Sequence, residues 1–344
     1  MRRFLFAVFL VLVGATGAVA DSFEDARSAY ERGDYAQALT LWQPLAAQGD
    51  APAQFNLGVM YRHGLGVQQD AQEALKWYRK AAEQGHAWAQ FNLGVMYRHG
   101  QGILQNAEEA VKWYRKAAEQ GYAWAQNNLG MMYEVGQGVP RDYQEALKWY
   151  RKAAEQEDVP AQFNLGVLYD KGRGTPRDAQ EAVKWYRKAA EQGDAPAQFN
   201  LSLLYDKGQG GPQDYQEALK WYRMAAEQGH ARAQYNLAVM YRHGQGTAQD
   251  AQEAVKWYRK AAEQGHGWAQ NNLGVMYDMG QGVLQDFVRA HMWYNISAKE
   301  SIGDERKIAV KNRDDVALQM TAAQIGKAQE MARRCQETKL KECD

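Results

Sequence analysis

Glu73-Ala74-Leu75-Lys76-Trp77-Tyr78-Arg79-Lys80-Ala81-Ala82-Glu83-Gln84-Gly85 decides the fold of this 344-residue chain. Its tryptophan returns as Trp113, Trp149, Trp185, Trp221, Trp257 and Trp293, at a constant spacing of 36 residues. A period of a few tens of residues marks one supersecondary unit stacked on copies of itself, because a single unit cannot bury its apolar side alone. Such stacks present long surfaces to partners and lack the unique convergent groups of a catalytic centre, so the repeat favours binding over chemistry.

Residues 51–86 show what one unit contains. Asp50 before Ala51-Pro52 reads as a helix opening, with an acidic N-cap and proline in the first turn. Ala53, Leu57, Met60 and Tyr61 fall at helical spacing and give one apolar face. Gly64 and Gly66 stop this helix, since glycine tolerates left-handed backbone. Asp70 with Glu73 three residues on is a capping-box arrangement that starts a second helix. Along that helix Ala74, Trp77, Tyr78, Ala81 and Ala82 form the expected buried stripe, while Lys76, Arg79, Lys80 and Glu83 face water and Arg79 pairs with Glu83 at i,i+4. Gly85 ends the unit. Gly58 sits mid-helix, where glycine costs about 1 kcal/mol relative to alanine. Its equivalents Gly94, Gly130, Gly166, Ser202, Ala238 and Gly274 are all small. Close approach of the neighbouring helix beneath the Trp-Tyr pair explains that choice. Asn56 recurs as Asn92, Asn128, Asn164, Asn200, Asn236 and Asn272. Amides tying adjacent repeats are the favoured explanation, with peptide binding the alternative.

The expected class is all-α, an α/α solenoid of seven 36-residue hairpins at 51–86, 87–122, 123–158, 159–194, 195–230, 231–266 and 267–302. Residues 21–50 read as a degenerate N-terminal helix pair in which Trp42 aligns with Tyr78. Residues 303–344 read as a C-terminal cap, since terminal units of a stack must meet water on their outer faces. Thr321 with Gln324 opens its last helix, whose Ile325, Ala328, Ala332 and Cys335 make one apolar edge.

Residues 1–20 read as a signal peptide. Arg2 and Arg3 precede the apolar run Phe4 to Val13, and Ala18-Val19-Ala20 supplies the small residues a signal peptidase requires. Cleavage after Ala20 predicts an exported chain, periplasmic or secreted, with no stable membrane insertion. It leaves 39 basic residues against 41 acidic ones, too little positive charge for a nucleic-acid partner. Cys335 and Cys343 are the two cysteines, and an even count in an exported chain favours a disulfide between them. The two capped ends favour a monomer.

The string Ala-Gln-Phe-Asn-Leu-Gly-Val-Met-Tyr-Arg-His-Gly-Leu-Gly-Val at 53–67, followed by Trp-Tyr-Arg-Lys-Ala-Ala-Glu-Gln-Gly at 77–85, resembles the Sel-one-like repeat family, a relative of tetratricopeptide repeats. The resemblance covers 51–302 strongly and both ends loosely. It implies a right-handed superhelix and a non-enzymatic scaffold or adaptor that engages proteins or cell-envelope material. A cysteine-rich branch of the family is linked with penicillin binding and weak β-lactamase activity. The repeats here contain no cysteine, so that activity does not carry over.

Residues that differ between units can specify a partner. On the first helix, positions 52, 55, 59 and 62 share one stripe, and by likeness to tetratricopeptide proteins that stripe lines a concave groove. Position 52 reads Pro52, Trp88, Trp124, Pro160, Pro196, Arg232 and Trp268; position 55 reads Phe55, Phe91, Asn127, Phe163, Phe199, Tyr235 and Asn271. Position 62 reads Arg62, Arg98, Glu134, Asp170, Asp206, Arg242 and Asp278. Aromatics with charges beside them are the composition of binding hot spots, and the charge order would set a ligand's register. The alternatives are that position 55 packs between adjacent first helices, that the tryptophans cover the preceding repeat, and that the charges are a solvated rim. His63, His99 and His243 are equivalent, as are His86, His230 and His266. Helices pack about 8–10 Å apart while zinc needs ligands about 2 Å away, so no metal site is expected. No cofactor is implied, and no nucleophile elbow or phosphate loop is present. The expected function is a scaffold holding a protein or peptide. An envelope factor binding peptidoglycan or a wall-modifying enzyme is the alternative, and a hydrolase such as a weak β-lactamase the remote one.

Overall fold

The computed structural model describes residues 17–340 and 343, and all regular structure among them is helical. It forms two compact units, Met1–Asp158 and Val159–Asp344. The first holds α1 (Gly17–Glu31), α2 (Tyr35–Ala47), α3 (Ala51–His63), α4 (Ala71–Glu83), α5 (Ala87–His99), α6 (Ala107–Glu119), α7 (Ala123–Val135) and α8 (Tyr143–Glu155). The second holds α9 (Val159–Lys171), α10 (Ala179–Glu191), α11 (Ala195–Asp206), α12 (Tyr215–Glu227), α13 (Ala231–His243) and α14 (Ala251–Ala262). It continues with α15 (Gly267–Met279), α16 (Phe287–Glu300), α17 (Gly303–Ala317) and α18 (Ala322–Glu337). Within each unit, every odd-numbered helix from α1 to α15 pairs with the even one after it, and that even helix packs on the next odd one. No helix among the described residues is long and apolar enough to cross a membrane. The signal segment proposed for residues 1–20 lies outside the described residues as far as residue 16, and the Ala20–Asp21 bond falls within α1.

Local chemistry explains why each hairpin forms. Asp50 Oδ1 accepts the Ala53 N–H at 2.7 Å, and Gly64 closes α3 in left-handed geometry at φ 68°. Gly102 turns at φ +69° beneath the preceding repeat, where a Cβ would stand 2.6 Å from the Ala71 carbonyl oxygen. Position 70 starts the second helix with half a capping box. Asp70 accepts from the Gln72 and Glu73 N–H groups, while the Glu73 carboxylate turns outward to Lys76 at 3.0 Å. The full reciprocal box occurs at Thr321 and Gln324.

The deepest side chain of each unit is tyrosine. Tyr78, Tyr114, Tyr150, Tyr186, Tyr222, Tyr258 and Tyr294 are fully buried, and Trp42 takes that place in the first hairpin. A Cβ on Gly58 would lie 2.5 Å from the Tyr78 ring, so the small position serves the tyrosine. Trp77 and Trp113 are only half-buried, whereas Trp149, Trp185, Trp221, Trp257 and Trp293 are buried. Lys80 covers the Trp77 ring at 4.5 Å and Lys116 the Trp113 ring at 4.2 Å, a cation–π contact that shields the outer indole face. The expected Arg79–Glu83 pair does not form. Arg79 reaches the next repeat and donates to the Tyr97 hydroxyl at 2.7 Å, as Arg115 does to Tyr133 at 2.5 Å. The Arg79–Tyr97 bond is part-buried, while an exposed i,i+4 pair adds only a few tenths of a kcal/mol.

A glutamine ladder, absent from the periodic reading, ties three helices at successive steps inside each unit. Buried Gln90 donates to the Ala82 carbonyl at the end of α4 at 3.0 Å and accepts from Gln120 at the end of α6 at 2.7 Å. Gln54, Gln198 and Gln234 repeat the arrangement. In the last repeat Glu300 replaces the second glutamine, accepting from Gln270 at 3.0 Å. The C-terminal cap contains more than the single helix expected from Thr321. Both α17 and α18 pack on α16, and Asn312 of α17 donates to Asn271 at 3.0 Å. Cys335 and Cys343 are joined in a disulfide, both buried beside Ala332 and Leu340.

Candidate functional site

The stripe proposed for recognition divides into a floor and a surface. Position 55 is the floor: Phe55, Asn127, Phe199 and Asn271 are buried, and Phe91, Phe163 and Tyr235 half-buried. Each aromatic there packs on its own repeat's buried tyrosine, as Phe55 does on Tyr78 at 5.8 Å and Tyr235 on Tyr258 at 5.9 Å. Several are also roofed by the N-cap residue of the next first helix. His86 stacks on Phe55 at 4.8 Å, His230 on Phe199 at 4.6 Å and His266 on Tyr235 at 4.7 Å. Of the two roles open for position 55, packing is the one the geometry gives its buried members.

The same three histidines cap their helices. His86, His230 and His266 each accept an N–H at Nδ1, from Ala89, Ala233 and Ala269 at 3.2, 3.2 and 3.3 Å. Acceptance at Nδ1 requires the neutral ring. Burial pushes the His86 imidazole down to about 4. It also lowers His230 and His266, with Arg232 adding to the effect on both. Capping accounts for this recurrence.

Position 52 carries three tryptophans, of which Trp124 is exposed and Trp88 half-buried. In the unit Met1–Asp158, Trp88 and Trp124 meet edge-to-face with centroids 5.7 Å apart. Tyr122 touches both, at 4.7 and 5.8 Å, and Phe91 lies 6.1 Å from Trp124. Trp124 keeps 38% of its surface in solvent. Trp268 belongs to the unit Val159–Asp344 and is half-buried there. Pro160, Pro196 and Arg232 are exposed, and Pro52 is half-buried.

Position 62 is more than a rim. All seven residues are half-buried; Arg62 and Arg98 bond the asparagine of the next repeat, and Glu134, Asp206 and Asp278 bond the hydroxyl of their own repeat's tyrosine. Arg62 Nη1 donates to Asn92 at 2.7 Å and Nη2 to Gln101 at 3.3 Å. Arg98 Nη1 donates to Asn128 at 3.1 Å, leaving Nη2 against the Met131 thioether at 3.6 Å. Where the residue is acidic the hydrogen bond reverses. Tyr150 donates to Glu134 at 2.8 Å, Tyr222 to Asp206 at 3.3 Å and Tyr294 to Asp278 at 3.4 Å. Asn236 then donates to the Tyr222 hydroxyl at 2.9 Å. A hydroxyl can accept from a guanidinium or donate to a carboxylate, so one packed column tolerates either charge. Burial raises these tyrosines above the usual phenol range. Arg242 pulls Tyr258 back to about 12, whereas Glu134 pushes Tyr150 further up. Asp170 instead holds Lys171 at 2.7 Å and Arg177 at 3.3 Å. The charge at this position was legible in the sequence; its tyrosine partner, sixteen residues on, was not.

These features define a helical-hairpin repeat protein with an uneven first-helix face. The Sel1 repeat model matches residues 27–50, 51–86, 89–122, 125–158, 159–194, 195–230, 231–266 and 269–301. The chain belongs to the Sel1 repeat family, whose members are typically non-enzymatic protein-interaction scaffolds. The match at 27–50 makes the degenerate first hairpin an eighth repeat. Among solved structures, the chain is similar to c5321, a protective antigen of uropathogenic Escherichia coli with an SLR fold. Identity is 32%, the match covers 95% of this chain and 78% of that one, and the TM-score is 0.60. It is also similar to a Sel1 repeat protein from Oxalobacter formigenes, at 42% identity, covering 70% and 96%, with a TM-score of 0.62. A comparison with curated proteins finds no match.

Proposed function

We propose that this chain is an exported scaffold that holds a protein or peptide on its first-helix face. The observation that carries the reading is the Trp88–Trp124 pair. Most indoles of the second helices are buried, yet these two stand on the variable stripe, with Trp124 38% exposed and guanidiniums further along the same stripe. Tryptophan and arginine supply most of the energy in interface hot spots. Export is supported by the basic-then-apolar start of the sequence and by the Cys335–Cys343 bridge, which persists in oxidising compartments. Neither a catalytic residue nor a cofactor enters this reading. The mature chain is expected to act as a monomer.

The test is a pull-down from envelope extract with the mature chain, wild type against a Trp88→Ala, Trp124→Ala, Trp268→Ala triple variant. A partner retained by the wild type and lost by the variant supports the reading. Equal recovery by both removes the indole face from the function. Sedimentation with purified sacculi separates a glycan ligand from a polypeptide one.

A further inference from the structure

We propose that the first-helix face of the unit Met1–Asp158 takes an extended peptide carrying an apolar anchor and a carboxylate four to five residues apart. This rests on the reading that the face binds a polypeptide, and adds the chemistry and spacing of the ligand.

The spacing comes from α5 and α7. Trp88 and Arg98 lie ten residues apart on one stripe of α5, about 15 Å along the axis at 1.5 Å per residue. Contacts show that the stripe continues onto α7. Phe91 of α5 touches Trp124 at 6.1 Å, and Arg98 reaches Met131 at 3.6 Å. One end of the face is therefore aromatic and the other cationic. An extended chain rises about 3.3 Å per residue, so four to five residues join the two ends.

The cationic end suits a carboxylate. Asn128 fixes the Arg98 guanidinium through Nη1, which holds it in place before a ligand arrives. Its Nη2 faces a thioether, a weak acceptor, and a carboxylate oxygen would replace that contact with a charge-assisted hydrogen bond. Arg62, fixed by Asn92, adds a second positive charge on the α3 side. Glu134 stands at the equivalent place on α7, where it repels an acidic residue and sets the carboxylate over α3 and α5.

Four fluorescein-labelled decapeptides test this by anisotropy with the full chain. All carry one leucine anchor, with glutamate at i+4, glutamate at i+1, lysine at i+4, or no charge. The i+4 glutamate peptide is expected to bind at least tenfold tighter than the others and to weaken with added salt. Trp124→Ala and Arg98→Gln are each expected to weaken it fivefold or more. Arg98→Lys, which keeps the charge and loses the fork, is expected to fall between, and circular dichroism checks that every variant folds. Equal binding of all four peptides, or binding to none, overturns the proposal. If no peptide binds while the pull-down stays indole-dependent, the ligand chemistry fails and the scaffold reading stands. Indole-dependent sedimentation with sacculi and no peptide binding assigns the face to glycan.

Discussion

His86 sits where Asp50 and Asp194 cap other repeats, and this exchange carries a pH dependence that can be worked out. Its Nδ1 accepts the Ala89 N–H at 3.2 Å, its ring stacks on Phe55 at 4.8 Å, and burial holds its pKa at about 4 against the ordinary 6.5. The neutral ring is the folded form. Above pH 6.5 the histidine is neutral in the folded and unfolded chain alike, and the contribution is fully present. As pH falls from 6.5 to 4, the unfolded chain binds a proton that the folded chain refuses, so stability drops by about 1.4 kcal/mol per pH unit. The total is about 3 kcal/mol at one site, complete near pH 4, at 1.36 kcal/mol per pKa unit. Desolvation of the buried ring is the cause of the shift, and protonation would also break the cap hydrogen bond, of a kind worth about 0.5–2 kcal/mol. His86→Asn keeps a cap of the kind Asn106 provides at α6 and removes the titration. Guanidinium denaturation followed by far-UV circular dichroism, at half-unit steps from pH 7.5 to 4, gives the slope for each protein. Subtracting the variant cancels the other titrating groups. The wild type is expected to lose about 3 kcal/mol more than the variant across that range, with amide exchange rising first at residues 86–92. Parallel slopes would refute the neutral-cap assignment.

Three further outcomes follow from the packing. Gln90→Ala removes one buried and one part-buried hydrogen bond, while the Ala82 carbonyl keeps the Gly85 N–H, so a loss of about 1–2 kcal/mol is expected in denaturant titration. Gly94→Val would drive a branched side chain into the Tyr114 ring, 2.7 Å from where even a Cβ would stand; about 2 kcal/mol or more should be lost in the same assay. Gly94→Ala should cost less than valine, because the Tyr114 ring must yield only to a Cβ and Ala238 occupies the equivalent site over Tyr258 in the native chain. Replacing Cys335 and Cys343 by serine opens a short loop, for which the chain-entropy estimate is about 2–3 kcal/mol. Amide exchange should show that loss in α18, with the unit Met1–Asp158 unchanged.

Residues whose partners are near in sequence were readable from the chain. Asp50, Gly64 and Asp70 act within three or four positions, and helical periodicity from Ala74 to Ala82 marks one face without knowledge of what covers it. Gln90 was not readable, because its partners Ala82 and Gln120 belong to two other helices. Arg79 was misread for the same reason: Glu83 is near along the chain, but Tyr97 is nearer in the fold. Position 55 could be placed on the variable stripe, though not beneath the histidine of the next repeat. Helix α17 has no strong periodic face of its own, and its place is fixed by contact with α15 and α16.

The 36-residue recurrence by itself determined the helical hairpin, its caps and its glycine turns, because short-range sterics and hydrogen bonding act along a contiguous stretch. Tertiary structure decided which of the repeated polar groups hold the stack and which remain at the surface, including the exposure of Trp124 and the two directions of hydrogen bonding at the buried tyrosines. Those outcomes depend on distances between repeats, and an amide, a guanidinium or an indole takes whichever partner the neighbouring helix brings within reach.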